Sequence, residues 1–319
     1  MNVLRNGKPW LIGVLFIAGL LAPMLIHDTH LRHIFIISCV YAIVAASWDL
    51  TLGFAGIFNF AQIAFFGIGI YSTGLIAKLF GVDPWIAIFI GGFAASAAAA
   101  IVAVPVVRLQ GVYVVLVTLA FSQLVLQLVI SQSQITGGTD GLVGVPTISL
   151  PGYNFLRDHK LGYCYVAFGL LVVTTICLDW LVRSNFGLSI KAARDSEDYG
   201  VSRGIPIARQ RLKALIASAF FTGLAGGLFV VYLRVASPEV FDFSTSSLVL
   251  SMVLVGGTAT IHGPIIAAFL LVFVSESLAG INLAEGRFML IAVAMVVALV
   301  FFPRGLASVF SSSVLGTRK

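Results

Sequence analysis

Between Arg183 and Lys213 the sequence reads RSNFGLSIKAARDSEDYGVSRGIPIARQRLK. This stretch holds seven of the chain's nineteen lysines and arginines: Arg183, Lys191, Arg194, Arg203, Arg209, Arg211 and Lys213. Hydrophobic runs flank it on both sides. Basic residues on a short loop between spans hold that loop in the cytoplasm. The acids Asp195, Glu197 and Asp198 add what topology alone does not require. A mixed-charge helix is predicted over 186–203, with Leu188, Ala192 and Asp195 about one turn apart and Ile190, Arg194 and Asp198 likewise. Pro206 ends or interrupts it. Such a helix has the chemistry to seat in a groove of a cytosolic partner.

A second set of groups is polar and uncharged or weakly basic. Asn59, Gln62, Gln123, Thr258, Thr260 and His262 lie within or beside apolar runs. Amides and hydroxyls suit the lining of a pathway for a small polar or zwitterionic solute, and they equally make hydrogen bonds between helices. Ionisable groups in the apolar runs are few. Asp49 and Asp179 fall near predicted cytoplasmic ends, Lys78 and Glu276 near outer ends, each within reach of water or an interface. Carriers driven by protons or sodium bury such a group at mid-membrane. None stands there clearly, so the driving energy is expected to come from elsewhere.

Catalytic and metal-binding motifs are missing from the sequence. There is no phosphate-binding Gly-x4-Gly-Lys followed by Ser or Thr. His27, His30 and His33 share a short outer loop with Asp28 and Arg32, which reads as a solvated interface cluster and not a zinc site. Cys39, Cys164 and Cys177 are odd in number, lack ligand spacing and read as packing residues.

The elements that position these groups are apolar helices. A chain 59% hydrophobic and 10% charged is far from the roughly 25% charged fraction of soluble domains. Hydropathy places spans near 10–27, 34–52, 57–80, 84–107, 111–132, 162–182, 212–233, 248–261, 264–280 and 287–302. The first resembles a signal peptide but is long for one and lacks a small-x-small cleavage site, so it reads as an uncleaved span. The fold class expected is an all-α polytopic membrane protein of about ten transmembrane or re-entrant helices, forming one domain over 1–319. Both termini then lie in the cytoplasm. Predicted inner positions carry Arg5, Lys8, Arg108, the seven island residues, Arg304, Arg318 and Lys319; predicted outer positions carry Arg32, Lys78, Arg157, Lys160, Arg234 and Arg287. Thirteen against six supports that orientation, and membrane edges account for the net charge of +6 better than a nucleic-acid groove does.

Two irregular stretches interrupt the spans, one in each half. The first runs from Gly53-Phe-Ala-Gly56 to Gly67 and Gly69; the second is centred on His262-Gly263-Pro264. Paired breaks of this kind point to a transport pathway. Gly223-Leu-Ala-Gly-Gly227 is a small-residue stripe suited to close helix packing. Between the halves lies an outer loop, 133–161, whose Thr136-Gly-Gly-Thr-Asp-Gly141 core is turn chemistry.

At these residues the chain resembles the LivM-type permease subunit of bacterial ABC importers for branched-chain amino acids and related solutes such as urea. The matching stretches are Leu52-Gly-Phe-Ala-Gly56 with Ala64-Phe-Phe-Gly-Ile-Gly-Ile-Tyr71, Thr136-Gly-Gly-Thr-Asp-Gly-Leu142, Arg183-Ser-Asn-Phe-Gly187 through Glu197 and Gly204-Ile205, Gly256-Gly-Thr-Ala-Thr-Ile-His-Gly-Pro264, and Phe302-Pro-Arg-Gly305. The resemblance implies that Arg194, Asp195, Glu197 and Gly204 belong to a coupling segment that contacts an ATPase. It implies as partners a second homologous permease, two cytoplasmic ATPases, a periplasmic solute-binding protein and the lipid of a bacterial inner membrane. ATP would bind on those partners, with no cofactor, metal or enzyme activity on this chain. Two stretches depart from the pattern. Asp198-Tyr-Gly-Val-Ser202 replaces an alanine-rich run, and Ile57-Phe-Asn-Phe-Ala-Gln62 is closer to the partner permease of such systems. The rival readings are a urea or amide permease, an ATP-independent channel or carrier, and a membrane scaffold.

Overall fold

The computed structural model describes residues 28–150 and 160–279, with Tyr153, Asn154, Gly19 and Met24. The predicted spans 10–27, apart from Gly19 and Met24, and 287–302 lie outside the described residues. So do His27, His159, Arg157, Arg287, the basic residues of both ends and the Phe302-Pro-Arg-Gly305 motif. Among the described residues, six helices are long and apolar enough to cross a membrane. The chain is an all-α polytopic membrane protein.

Helix α1, Thr29–Asp49, starts where the Asp28 carboxylate accepts from the His30 N–H at 2.9 Å, and continues into a π-helical turn, Leu50–Phe54. Then come α2, Gln62–Leu79, α3, Pro84–Val106, and α4, Val112–Ser131. The short α5, Ser133–Thr136, opens the loop that carries β1, Leu142–Val143, β2, Ser149–Leu150, and β3, Tyr153–Asn154. Next are α6, Leu161–Arg183, α7, Asn185–Asp195, α8, Glu197–Ser202, and α9, Ile207–Leu233. The described part closes with β4, Val235–Ala236, a 3-10 turn, Pro238–Phe241, α10, Phe243–Gly256, and α11, His262–Ala279.

Several boundaries differ from the hydropathy reading for physical reasons. Helix α9 starts at Ile207 and not 212, because Arg209, Arg211 and Lys213 lower hydropathy without opposing helix. The polar run Ser244-Thr-Ser-Ser247 likewise hides the first turn of α10. Helix α2 starts at Gln62 and not 57, because the Asn59 Oδ1 accepts from the Ala61 N–H at 2.8 Å and holds the preceding segment in a side-chain turn. At 14 residues, α10 is about 21 Å long, short of the ~30 Å hydrocarbon core.

Helix α1 is the axis of the bundle, with 89% of its most apolar window buried; α4 is its open edge, at 28%. Around the axis, α2, α3 and α9 meet through small residues. A methyl group on Gly223 of α9 would come within 2.6 Å of Ala95 Cβ and 2.9 Å of the Gly91 carbonyl of α3, and one on Gly69 of α2 would collide with Gly223. Backbones this close gain contact with no hydrophobic drive from lipid.

The charges sort to opposite ends as the connectivity requires. At one end lies the basic island; at the other, Lys78 donates to the Val143 carbonyl at 2.8 Å and Lys160 stands 5.6 Å from the Tyr232 ring. The loop at that second end is folded. The Thr136 hydroxyl donates to the Val129 carbonyl at 2.6 Å, and β1 pairs antiparallel with β4, Leu142 opposite Ala236.

Candidate functional site

The island forms two helices and not the single one predicted. Ser196 is extended (φ −157°, ψ 111°), and its hydroxyl accepts from the Tyr199 N–H at 3.3 Å, so it ends α7 and caps α8. Serine followed by Glu197 and Asp198 is favourable helix-start chemistry, which outweighs the continuous pattern. Glu197 meets Arg211 Nη2 at 3.1 Å and ties α8 to the start of α9, while Gly204 (φ +75°) turns the chain between them.

Arg194 reaches from α7 into the first helix break. Its Nη1 donates to the Gly53 carbonyl at 2.5 Å, and its Nε and Nη2 donate to Asp195 Oδ1 at 3.0 and 2.9 Å. Carbonyls in the last turn of a helix have no partner further along, and a cation there is favoured by the helix dipole. Gly56 (φ +68°) lets the backbone turn beneath the same side chain: a Cβ there would come 2.7 Å from Arg194 Cγ. Lys191 lies over the Phe54 ring at 5.0 Å. Partial burial holds its ammonium pKa below the ordinary lysine value; Arg194 adds to the lowering and Asp195 opposes it.

The two breaks meet. Asp49, the last residue of α1, is fully buried and not in reach of water as expected from its place in the sequence. Its Oδ1 accepts from the Ala259 N–H and its Oδ2 from the Thr260 N–H, both at 2.9 Å. Ala259 is in the left-handed region (φ 62°), and the Thr260 hydroxyl donates to the Gly257 carbonyl at 2.5 Å. Any side chain at Gly53 would collide with both the Asp49 carboxylate and the Ala259 nitrogen. Gly256 packs against Gly263 and Pro264 across the second break. At the first residue of α11, His262 Nε2 stands 3.8 Å from Asp179 Oδ2, which also faces Arg183 at 3.8 Å.

The remaining polar residues separate into three places. Gln62 is buried: its Nε2 donates to Ser218 Oγ at 2.9 Å and to Thr222 Oγ1, and the Ser218 hydroxyl donates to the Ser47 carbonyl at 2.6 Å, with Gln62 Oε1 at 3.1 Å. This knot joins α1, α2 and α9. Asn59 is buried beside it in sequence, its Nδ2 without a protein hydrogen-bond partner. The segment between them is gripped by α4, where Thr118 Oγ1 accepts from the Phe60 N–H and Ser122 Oγ donates to the Phe60 carbonyl, each at 3.1 Å. Gln123 stands apart on the exposed face of α4, one turn from the exposed Gln127. Thr258 is exposed, and Thr260 and His262 are half-buried. Gly67 packs against the Phe241 ring, and Gly227 against Thr73 and Ile88.

The residues that sequence reasoning missed are Ser218, Thr222, Thr118 and Ser122. Their signal was the spacing of four along one helix, which puts each pair on one face. Asp49 was noticed and misplaced. No three His, Cys, Asp or Glu converge as metal ligands among the described residues. The arrangement has no nucleophile paired with a base. Its chemistry is mechanical: charge-assisted hydrogen bonds join a surface helix to two breaks in the bundle.

The family described as the branched-chain amino acid transport system / permease component matches residues 31–300. The high-affinity branched-chain amino acid transport system permease protein LivM of Escherichia coli (strain K12) is 30% identical over 291 residues, covering 85% of this chain and 68% of that protein. Two proteins of Methanocaldococcus jannaschii also match. The probable branched-chain amino acid transport permease protein LivH is 25% identical, covering 78% of this chain and 80% of its own, and the probable LivM is 24% identical, covering 60% and 65%. No solved structure matches the chain. By this match over most of its length, the chain belongs to the permease-component family of branched-chain amino acid transport systems.

Proposed function

We propose that this permease is one membrane-spanning half of an ATP-driven importer in a bacterial inner membrane, carrying branched-chain amino acids. It works with a second permease, two cytoplasmic ATPases that bind the ATP, and a periplasmic solute-binding protein. The observation that carries the reading is the Arg194–Gly53 hydrogen bond, which joins the basic island to a helix break. Arg194, Asp195, Glu197 and Gly204 form the coupling segment within 183–213, and motion of the ATPases reaches the bundle through it. In this reading 1–319 is one domain of about ten transmembrane or re-entrant helices, with both termini on the island side.

The relatives, permease proteins of branched-chain amino acid transport, support that choice of solute. Asn59, Thr258, Thr260 and His262 line or border the pathway, and Gln62 holds its wall. Gln123 and Gln127 support the second permease: an amide facing hydrocarbon without a partner is costly, so the open face of α4 packs against protein.

The test is gentle extraction of the tagged chain from its native membrane, mass spectrometry of what accompanies it, and uptake of labelled leucine by the reconstituted assembly. An ATPase and a second permease are expected, with uptake that requires ATP. Uptake by the chain alone without ATP would establish the channel or carrier reading instead. Competition by urea and not by leucine would move the solute to the amides.

A further inference from the structure

We propose that Asp49 is a positioning residue that makes the two helix breaks move as one body when the coupling segment moves. The inference rests on the coupling reading above and identifies how the drive reaches the second half of the chain.

The geometry has three parts. First, Asp49 uses both carboxylate oxygens on consecutive main-chain N–H groups, Ala259 and Thr260, across 210 residues of sequence. These groups stand just ahead of α11, where a helix start favours negative charge. Asp49 therefore holds the turn that leads into α11 from another helix. Second, Gly53 fills the space between the Asp49 carboxylate and the Ala259 nitrogen so closely that no side chain fits. Packed groups at this distance transmit a displacement instead of absorbing it. Third, the Gly53 carbonyl is the group that Arg194 holds from the island. The line therefore runs from Arg194 to Gly53, to Asp49, to the Ala259–Thr260 main chain and into α11.

The alternative is that Asp49 only stabilises the bundle. The two differ in what they predict for coupling. A buried carboxylate that leaves these donors loses both N–H hydrogen bonds away from water, which is costly, so the joint tends to be either closed or broken. Asp49→Asn keeps the shape and loses one acceptor oxygen. The assembled four-subunit importer with its binding protein is reconstituted in proteoliposomes, and labelled leucine transported per ATP hydrolysed is measured, normalised to assembled complex. Asp49→Asn is expected to lower that ratio about tenfold, equivalent to roughly 1.4 kcal/mol of lost coupling. Arg194→Ala is expected to do the same, and the double variant is expected to be no worse than either single one, because both break one line.

An unchanged ratio in Asp49→Asn, or losses that multiply in the double variant, overturns the inference. If Arg194→Ala lowers the ratio and Asp49→Asn does not, only this inference fails; if Arg194→Ala leaves the ratio unchanged, the coupling reading fails and takes this one with it. Should Asp49→Asn reduce assembly, Thr260→Pro replaces it. Proline has no N–H, so it removes one of the two donors that Asp49 holds. A lowered ratio at normal assembly supports the joint, and an unchanged ratio overturns it.

Discussion

Arg194 and Gly53 lie 141 residues apart, yet the guanidinium of one donates to the carbonyl of the other at 2.5 Å. The partner is a main-chain group in a π-helical turn, where the regular helix has already ended. Arg194 also keeps Asp195 at 2.9 Å, so its fork holds two directions at once. A fixed fork of this kind does what a flexible ammonium does not.

Arg194→Lys is therefore expected to fall between the natural protein and Arg194→Ala in leucine carried per ATP. The lysine can reach Gly53 but holds only a single point contact. Reversing the charge at Arg194 and Glu197 together is expected to abolish coupled transport while leaving the protein inserted, read by uptake against the amount of chain in the membrane. Normal uptake in that variant would remove α7 and α8 from the drive.

The Glu197–Arg211 pair is part-exposed, so its contribution to stability is small, about 0–1 kcal/mol. Exchanging the two residues, Glu197→Arg with Arg211→Glu, is expected to leave the melting temperature in detergent within about 2 °C. The same exchange is expected to weaken ATPase capture in co-purification, because the outward field of the island changes sign at two positions.

Gln62→Leu leaves Ser218 and Thr222 without the amide that joins them to α2. Hydrogen bonds between membrane helices are worth about 0.6 kcal/mol on average and up to about 1.7. With two partners stranded, a loss near 2 kcal/mol is expected, read as a lowered unfolding midpoint. Uptake at low temperature is expected to stay close to normal, since Gln62 is buried where α1, α2 and α9 meet.

Gln127→Cys tests the open face of α4. In the assembled importer, a cysteine scan of the second permease is expected to find a position that forms a disulfide with it on mild oxidation. A lipid-facing position would instead label freely with a membrane-soluble maleimide and yield no crosslink.

Much of this was legible in the sequence, and the reasons it was or was not are specific. Apolar length marked the spans, because lipid leaves few other ways to satisfy a backbone. The glycines marked both breaks, since Gly53 and Gly56 admit what no side chain permits. Hydropathy could not show that the two breaks touch, because contact across 210 residues leaves no periodic trace. Asp49 illustrates the cost. Position near a span end suggested water, whereas the partner that encloses it is a loop from the other half of the chain. The Ser196 break was likewise hidden, because one capping hydroxyl outweighed an unbroken amphipathic pattern.

Both partners of the Asp49 carboxylate, and the partner of Arg194 across the first break, are main-chain atoms. A peptide carbonyl is present whatever residue carries it, and an N–H in every residue but proline. The side chains of Ala259 and Thr260 thus take no part in the two hydrogen bonds to Asp49. If these residues border the solute pathway as proposed, a lineage can alter what the Ala259 side chain offers a solute while the hydrogen bonds to Asp49 stay in place. On that reading, change in cargo and retention of the drive are separated at the level of single atoms.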